Sequence, residues 1–370
     1  MSNKIRVGIL FGGRSGEHEV SIASAMSVYK ALDKSKYDVT LIGIDKTGRW
    51  LLPEVEMLLK HTDQPMNIQL NQVQGSFALI PHPAKDQIFP IQGTSTHVPP
   101  LDVIFPVLHG SFGEDGTMQG MLETAQIPYI GSGVLGSSLG MDKEVATKLF
   151  ASAGITTIPA ACVRKHEFLT DAKGLMERLL RDFSLPFFIK PANAGSSVGV
   201  HKIKSADQLR AALEDAFSFD LKILVQKAVA ARELEVAVLG NESPQASIVG
   251  EIIPSHEFYS YEAKYLDENG AALKIPAEIP EEVALKARDW AIRAFKVLEC
   301  RGLARVDFFL DRESGDLMIN EINTIPGFTQ ISMYPKLWEA SGIGYKDLLD
   351  ELIRLALDQH RQRSALKTSK

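Results

Sequence analysis

The chain has 370 residues, 40 of them Lys or Arg and 46 Asp or Glu, for a formal net charge of −6; 45% are hydrophobic and 23% charged. At roughly 150 residues per domain this length suggests two or three globular units, and the balanced composition excludes a disordered chain and a basic nucleic-acid footprint. The longest apolar runs, such as 101–108 with its internal Pro106, fall far short of the roughly 20 residues of a membrane span.

In chain order, 6–11 reads as a short apolar strand that runs into Gly12-Gly13. Arg6 interrupts the apolar stretch, so no signal peptide is expected. Helical spacing over 20–32 and a second apolar run at 39–45 complete a β-loop-α-β opening, which favours a parallel sheet. The stretch 60–100 is rich in Gln, Pro, Thr and His and predicts excursions and edge strands. A buried-type strand at 102–107, a helix at 118–125 and a short strand at 128–130 close a first unit near residue 131. Helices are predicted at 143–153, 172–182 and 207–217, with strands at 187–190, 198–204 and 222–227, a compact α+β unit. From about 227, strands at 233–239, 248–253, 305–310 and 317–322 mix with helices at 281–298 and 345–360. Cys162 and Cys300 form no disulfide framework, and no H-x-H or H-x-x-x-H pair offers a zinc site. A reduced, cytoplasmic protein is expected.

The most informative segment is Arg305-Val306-Asp307 followed by Glu321-Ile322-Asn323, with a turn signal between. A hairpin folded about Ser314 sets Asp307 opposite Glu321 and Arg305 opposite Asn323, all four on one face. Two carboxylates and an amide oxygen gathered there suit a hard cation such as magnesium. The alternative is a surface charge ladder in which Arg305 neutralises Asp307.

The run from Lys190 through Gly195, Ser196 and Ser197 to Gly199 is a strand ending on lysine and opening into small residues. Such a loop can fold over phosphate, though it lacks the P-loop order, and a plain hairpin loop fits equally. Two G-x-S-x-G matches, at 136–140 and 195–199, suggest a hydrolase elbow. The second is followed by a strand rather than a helix, and the first has no clear downstream acid and histidine. A G-x-G-x-x-G at 131–136 lacks the acidic residue of a dinucleotide site. Glu17 sits at the carboxyl end of the first strand, where open α/β sheets bind ligands, and could hold an ammonium group. The aromatic stretch 258–265 reads as an exposed hairpin or as a lid that excludes water.

Taken together, GGRSGEHEVS at 12–21, HGSFGEDG at 109–116, IGSGVLGSSLGMDK at 130–143, KPANAGSSVGV at 190–200, FYSYEAKY at 258–265, ARVD at 304–307 and NEINTIPGFT at 320–329 resemble the D-alanine–D-alanine ligases of the ATP-grasp family. The resemblance covers nearly the whole chain. It implies an α/β fold, α+β in places, of three-domain ATP-grasp architecture. A Rossmann-like parallel-sheet domain spans 1–131, a central subdomain with the phosphate loop 132–226, and a C-terminal subdomain with lid and metal site 227–370.

The implied activity is ATP-dependent joining of two D-alanines through an acyl phosphate, giving ADP and phosphate, for peptidoglycan precursors. By position, Lys143, Lys190 and Ser197 resemble the phosphate-side contacts. Gln226, Lys227 and Glu233 fall on the adenine and ribose segment, Gln226 standing where the family commonly has Glu. Asp307, Glu321 and Asn323 resemble a site for two magnesium or manganese ions. Arg305 and the Gly327 N–H resemble an oxyanion-stabilising pair. Glu17 resembles the residue that binds the first D-alanine ammonium, linked through Ser196 to Tyr265, which closes the lid. Lys264 and Ser332 resemble contacts to the second substrate's carboxylate, and His109 lies near the substrates. Tyr265 favours an amine as the second substrate. The family also implies a homodimer, without nucleic-acid or membrane partners.

Overall fold

The computed structural model describes residues 4–59, 68, 70, 73, 75–80, 88–92, 100–254 and 271–367. Among these the strands form three sheets. In the first, β1 (Ile5–Gly12) runs parallel to β2 (Tyr37–Ile44) and to β6 (Val103–Pro106). Beyond β2, the sheet continues antiparallel through β3 (Trp50–Leu51), β4 (Ser76–Leu79) and β5 (Ile88–Gln92). The stretch 60–100 thus supplies the edge strand β5, as its composition predicts, and also β4, which pairs on both sides. Val7, Ile9, Leu10 and Phe11 are all fully buried, the continuous apolar reading of a strand covered on both faces. Helix α1 (His18–Ala31) packs Ile22, Ala25 and Val28 into this core, and α2 (Val55–Leu59) and α3 (Thr117–Thr124) follow. Ser21 fixes where α1 begins. Its hydroxyl accepts the Gly12 N–H at 2.7 Å and donates to the Val107 carbonyl, tying the helix to the ends of β1 and β6.

The second sheet is antiparallel, in the order β7 (Ala160–Arg164), β10 (Lys222–Lys227), β8 (Phe187–Pro191), β9 (His201–Ile203). With it go α6 (Lys165–Thr170), α7 (Ala172–Asp182) and α8 (Leu209–Phe219). Phe187, Ile189, Ile223 and Val225 meet Leu175, Leu179, Leu209 and Leu213 in one core. The strand predicted at 198–204 is shorter than expected: the backbone turns through Ser196, Ser197 and Gly199, all at positive φ, before β9 begins.

The third sheet runs β13 (Ala271–Lys274), β12 (Gln245–Pro254), β11 (Ala231–Gly240), β14 (Gly302–Asp311), β15 (Leu317–Asn323). Helix α9 (Glu281–Val297) covers it with a stripe of Ala287, Trp290, Ala291, Ala294 and Phe295 at helical spacing. Helices α4 (Val134–Met141) and α5 (Lys143–Ser152) precede the second sheet in sequence. Yet α5 packs on the third, with Ala146 and Phe150 against Val306, Ile319 and Ile322. Last come α10 (Met333–Ala340) and α11 (Tyr345–Ser364), whose Leu348, Leu349 and Leu352 share a core with Val7 and Ile9 of β1 and Leu239 of β11.

Candidate active site

The β14–β15 register places Asp307 opposite Glu321 and Arg305 opposite Asn323, as the turn spacing predicts. These four side chains are half-buried on one face, while Val306, Phe308 and Ile322 are buried on the other. Past Asp307 the register slips by one, so that Phe308 pairs with Ile319 and Asn320 is an extra residue. Arg305 lies between two acids. Its Nε and Nη2 donate to the two Asp307 oxygens at 2.7 Å each, and Nε is 3.0 Å from Glu235 Oε2. Burial opposes the charge, yet Asp307 and Glu235 hold the guanidinium well above its usual range. Asn323 Nδ2 donates to Asp307 Oδ2 at 3.0 Å, and Lys143 Nζ is 3.5 Å from Glu321 Oε2. The neutralising role for Arg305 is therefore present. Repulsion between the carboxylates is answered by protein cations and does not by itself demand a metal.

The facing wall comes from the second sheet. Strand β8 carries Lys190, whose Nζ donates to Asn320 Oδ1 at 3.4 Å. Burial pushes its ammonium down to about 8, with Glu321 pulling up and Lys143 pushing down. Lys143, first residue of α5, donates from Nζ to the Ala194 carbonyl at 2.8 Å. Both lysines thus approach Glu321. Ser196 and Ser197 sit at φ 48° and 60°, left-handed conformations that cost non-glycine residues on the order of 1–3 kcal/mol and persist where surroundings enforce them. The Ser196 hydroxyl donates to the Glu17 carboxylate. A Cβ on Gly195 would fall 2.7 Å from Glu17 Oε2, and one on Gly110 2.8 Å from it. Glycine at both positions lets Glu17 fit between two backbones.

Glu17 occupies the position just before α1 and is buried; its N–H donates to Ser15 Oγ at 3.2 Å. His109 is buried beside it. Its Nδ1 is 2.9 Å from the Ile325 carbonyl, so Nδ1 carries the proton, and Nε2 accepts from Ser24 Oγ at 3.3 Å. Ser24 Oγ in turn accepts the Phe328 N–H at 3.3 Å. Burial lowers the His109 pKa, consistent with this neutral tautomer, although Glu17 pulls upward. Both ring nitrogens are thus engaged by protein, and His109 ties α1 to the segment that carries Gly327. Ser332 immediately precedes α10, and its Oγ accepts the Thr329 N–H at 3.1 Å.

One cavity of about 1120 Å³ is lined by strand residues of the second and third sheets and, from the first unit, by the start of α1 and the loop after β6. It brings together Glu17, His109, Lys143, Lys190, Ser196, Ser197, Gln226, Lys227, Glu233, Arg305, Asp307, Glu321, Asn323, Gly327 and Ser332. Lys264 and Tyr265 lie outside the described residues.

Residues 6–132 match the family model described as D-ala D-ala ligase N-terminus, and 149–354 match D-ala D-ala ligase C-terminus. The chain belongs to the D-alanine–D-alanine ligase family. It is 49% identical over 368 residues to the D-alanine–D-alanine ligase of Oceanobacillus iheyensis, covering 99% of both chains. It is 47% identical to D-alanine–D-alanine ligase A of Escherichia coli, again covering 99% of both. Among solved structures, the D-alanine-D-alanine ligase from Coxiella burnetii superposes with a TM-score of 0.84 at 35% identity, over 98% of this chain and 97% of the other. The VanG D-Ala:D-Ser ligase from Enterococcus faecalis does so at 0.82 and 34%, over 96% of this chain and all of the other. Among the described residues no helix is long and apolar enough to cross a membrane.

Three further residues of this family member belong to the same cavity and were not singled out from sequence: Glu114, Glu235 and Asn320. Glu235 alternates with Glu233 across Leu234 in a strand that is apolar from Val236 to Leu239, a pattern that marks one polar face. Asn320 enters through the β15 bulge, which alternation cannot show. Glu114 is buried and accepts the Gly110 N–H at 2.8 Å and the Ile325 N–H at 3.4 Å. Burial, then the nearby Glu17 charge, pushes its carboxyl up to about 8, so it stays protonated at neutral pH. An unfolded glutamate titrates near 4.3, so between there and about 8 the folded state holds the extra proton, and its stabilising contribution falls as pH rises. Glu114→Gln should therefore gain stability relative to the parent chain from about pH 5 to about 8. Urea midpoints measured across that range check this; a constant difference counts against it.

Proposed function

We propose that this chain joins two D-alanine molecules into D-alanyl-D-alanine, converting ATP to ADP and phosphate, and so supplies a peptidoglycan precursor in the cytoplasm. The observation that supports this reading is the convergence in one cavity of Glu17, Lys143, Lys190 and an arginine, Arg305, flanked by acids. A carboxylate does not acylate an amine at neutral pH, because its carbonyl is a poor electrophile. The first D-alanine is held by its ammonium at Glu17, which the Ser196 hydrogen bond keeps in place. ATP lies with its adenine and ribose against Gln226, Lys227 and Glu233, the Gln226 carbonyl accepting the adenine amino hydrogen. Lys143, Lys190 and Ser197 take the phosphates. The D-alanine carboxylate attacks the γ-phosphorus in line, forming an acyl phosphate and releasing ADP, while the lysines spread the developing charge. The neutral amine of the second D-alanine then attacks the acyl carbon. Arg305 and the Gly327 N–H receive the oxyanion, the bond to phosphate breaks, the surplus amine proton leaves with the phosphate and the dipeptide remains. The positive end of α10 at Ser332, together with Lys264, suits the second carboxylate, and Tyr265 closes the site.

The donor set fits hard divalent ions. Asp307 and Glu321 offer carboxylate oxygens and Asn323 an amide oxygen on one face of the hairpin, the oxygen ligands such ions take. Asp307, Glu321 and Asn323 would hold two magnesium or manganese ions, which when bound offset phosphate charge.

The reading is tested by phosphate release with ATP and D-alanine, against L-alanine, D-lactate and D-serine in separate arms. Dipeptide from D-alanine is the expected product; ATP binding without phosphate release would indicate a nucleotide-binding scaffold instead. A second expectation follows from Lys190. Phosphate needs its charged form, so ATP affinity should fall as pH rises through about 8, and Lys190→Arg should flatten that fall. Nucleotide titrations from pH 7 to 9.5 decide; identical slopes in both proteins would reject the assignment.

A further inference from the structure

Behind the cavity lies an ion cluster that does not line it. Lys222 opens β10, and its side chain is 8% exposed. Its ammonium donates to the Asp142 carboxylate and lies 3.1 Å from Glu144 Oε2. Those two acids flank Lys143. Asp142 also caps α5, accepting the Val145 N–H at 3.1 Å. The main chain repeats the connection. The Lys222 carbonyl accepts the Ala192 N–H at 3.0 Å, and the Ala192 carbonyl accepts the Lys143 N–H at 3.1 Å. Two residues before Lys222, Asp220 Oδ2 receives the backbone and side-chain N–H of Asn193 at 2.8 and 3.0 Å.

These contacts join parts with different cores. Helix α5 buries Ala146 and Phe150 against the third sheet, whereas Lys222 and the loop after Lys190 belong to the second. Lys143 and Lys190 therefore stand on separate supports, and their spacing depends on what holds α5 to β10. We propose that Lys222 is a positioning residue: by gripping Asp142 and Glu144 it sets where Lys143 meets the phosphate loop, and hence its distance from Lys190. This rests on the phosphate-side reading of the two lysines given above.

The chemistry favours a shared cation at this point. Asp142 and Glu144 are 20% and 12% exposed in their side chains, close enough to repel and too covered for water to answer both. The α5 N-terminus offsets part of that charge, and Glu144 also has Lys148 at 2.5 Å and Arg164 at 3.5 Å. Loss of Lys222 thus leaves α5 able to form but no longer tied by side chains to β10. Burial opposes the charge, yet hydrogen bonds donated to Asp142 and Glu144 hold the Lys222 ammonium above the usual lysine range.

Steady-state kinetics on the full chain test this. Lys222→Met should raise KM for ATP by about tenfold while KM for D-alanine changes less than about twofold, and Lys222→Arg should restore most of the difference. Asp142→Asn, which keeps a capping oxygen, and Glu144→Gln should each raise KM for ATP by a smaller factor. If Lys222→Met does not fold, those two variants decide by the same criterion. An unchanged KM for ATP overturns the proposal, as does a parallel rise in KM for D-alanine, which would mean general loosening. Lys143→Ala separates this from failure of the underlying reading. If it leaves ATP affinity intact, the phosphate-side assignment itself is wrong; if it weakens ATP binding while Lys222→Met leaves KM for ATP unchanged, only the positioning role fails.

Discussion

Arg305→Met should slow dipeptide formation by about 100- to 1000-fold, the size of effect seen when one oxyanion donor is removed. It should also cost about 3 kcal/mol of stability, because Asp307 and Glu235 lose the cation between them and remain partly desolvated. The two effects separate in a single-turnover experiment. ADP formation, which needs the lysines, should persist in the first turnover, while dipeptide lags. Urea unfolding reads the stability loss. Arg305→Lys should recover stability better than rate, since an ammonium can face both acids but cannot present the same planar fork. A methionine variant with parental dipeptide rate would remove Arg305 from the chemistry.

Glu321→Gln should cut turnover by about 100-fold and shift the divalent-ion titration upward by at least about tenfold, with the fold intact. Glutamine keeps the shape of the side chain, so the β14–β15 ladder is undisturbed. What changes is charge: a hard-cation ligand is weakened, and Lys143, at 3.5 Å, loses its counter-ion. The measurement is phosphate release as a function of magnesium concentration. Parental turnover with an unchanged titration would reject metal binding at this hairpin.

The parts of the site most legible in sequence were those where periodicity and a turn signal act together. Period-two alternation about a six-residue turn was enough to pair Asp307 with Glu321, because slipping the register would expose Val306 and Ile322. The bulge that adds Asn320 was not legible, since it begins where that alternation breaks. Helix α4 was missed for a different reason. Its sequence Val-Leu-Gly-Ser-Ser-Leu-Gly-Met has poor intrinsic helix propensity, and close packing selects it: a Cβ on Gly136 would meet the Glu299 carbonyl at 2.8 Å. Strand β7 escaped because it is an edge strand with only Val163 buried. Helix α10 hides behind Pro335, which its first turn tolerates. The three walls of the cavity are remote in sequence, so no local pattern could show that Glu17, Lys190 and Arg305 meet. That step came from motif order and from the register and packing that bring the sheets together.

The contact between α11 and the first sheet has a consequence for biosynthesis. Leu348, Leu352 and Ile353 complete the hydrophobic layer over Val7, Ile9 and Leu41, and Asp350 receives the Tyr37 hydroxyl at 2.7 Å and Lys36 Nζ at 2.6 Å. A nascent chain leaving the ribosome exposes β1 more than three hundred residues before its cover. The first sheet must therefore wait, partly bare, until α11 has been made before it can reach its final packing.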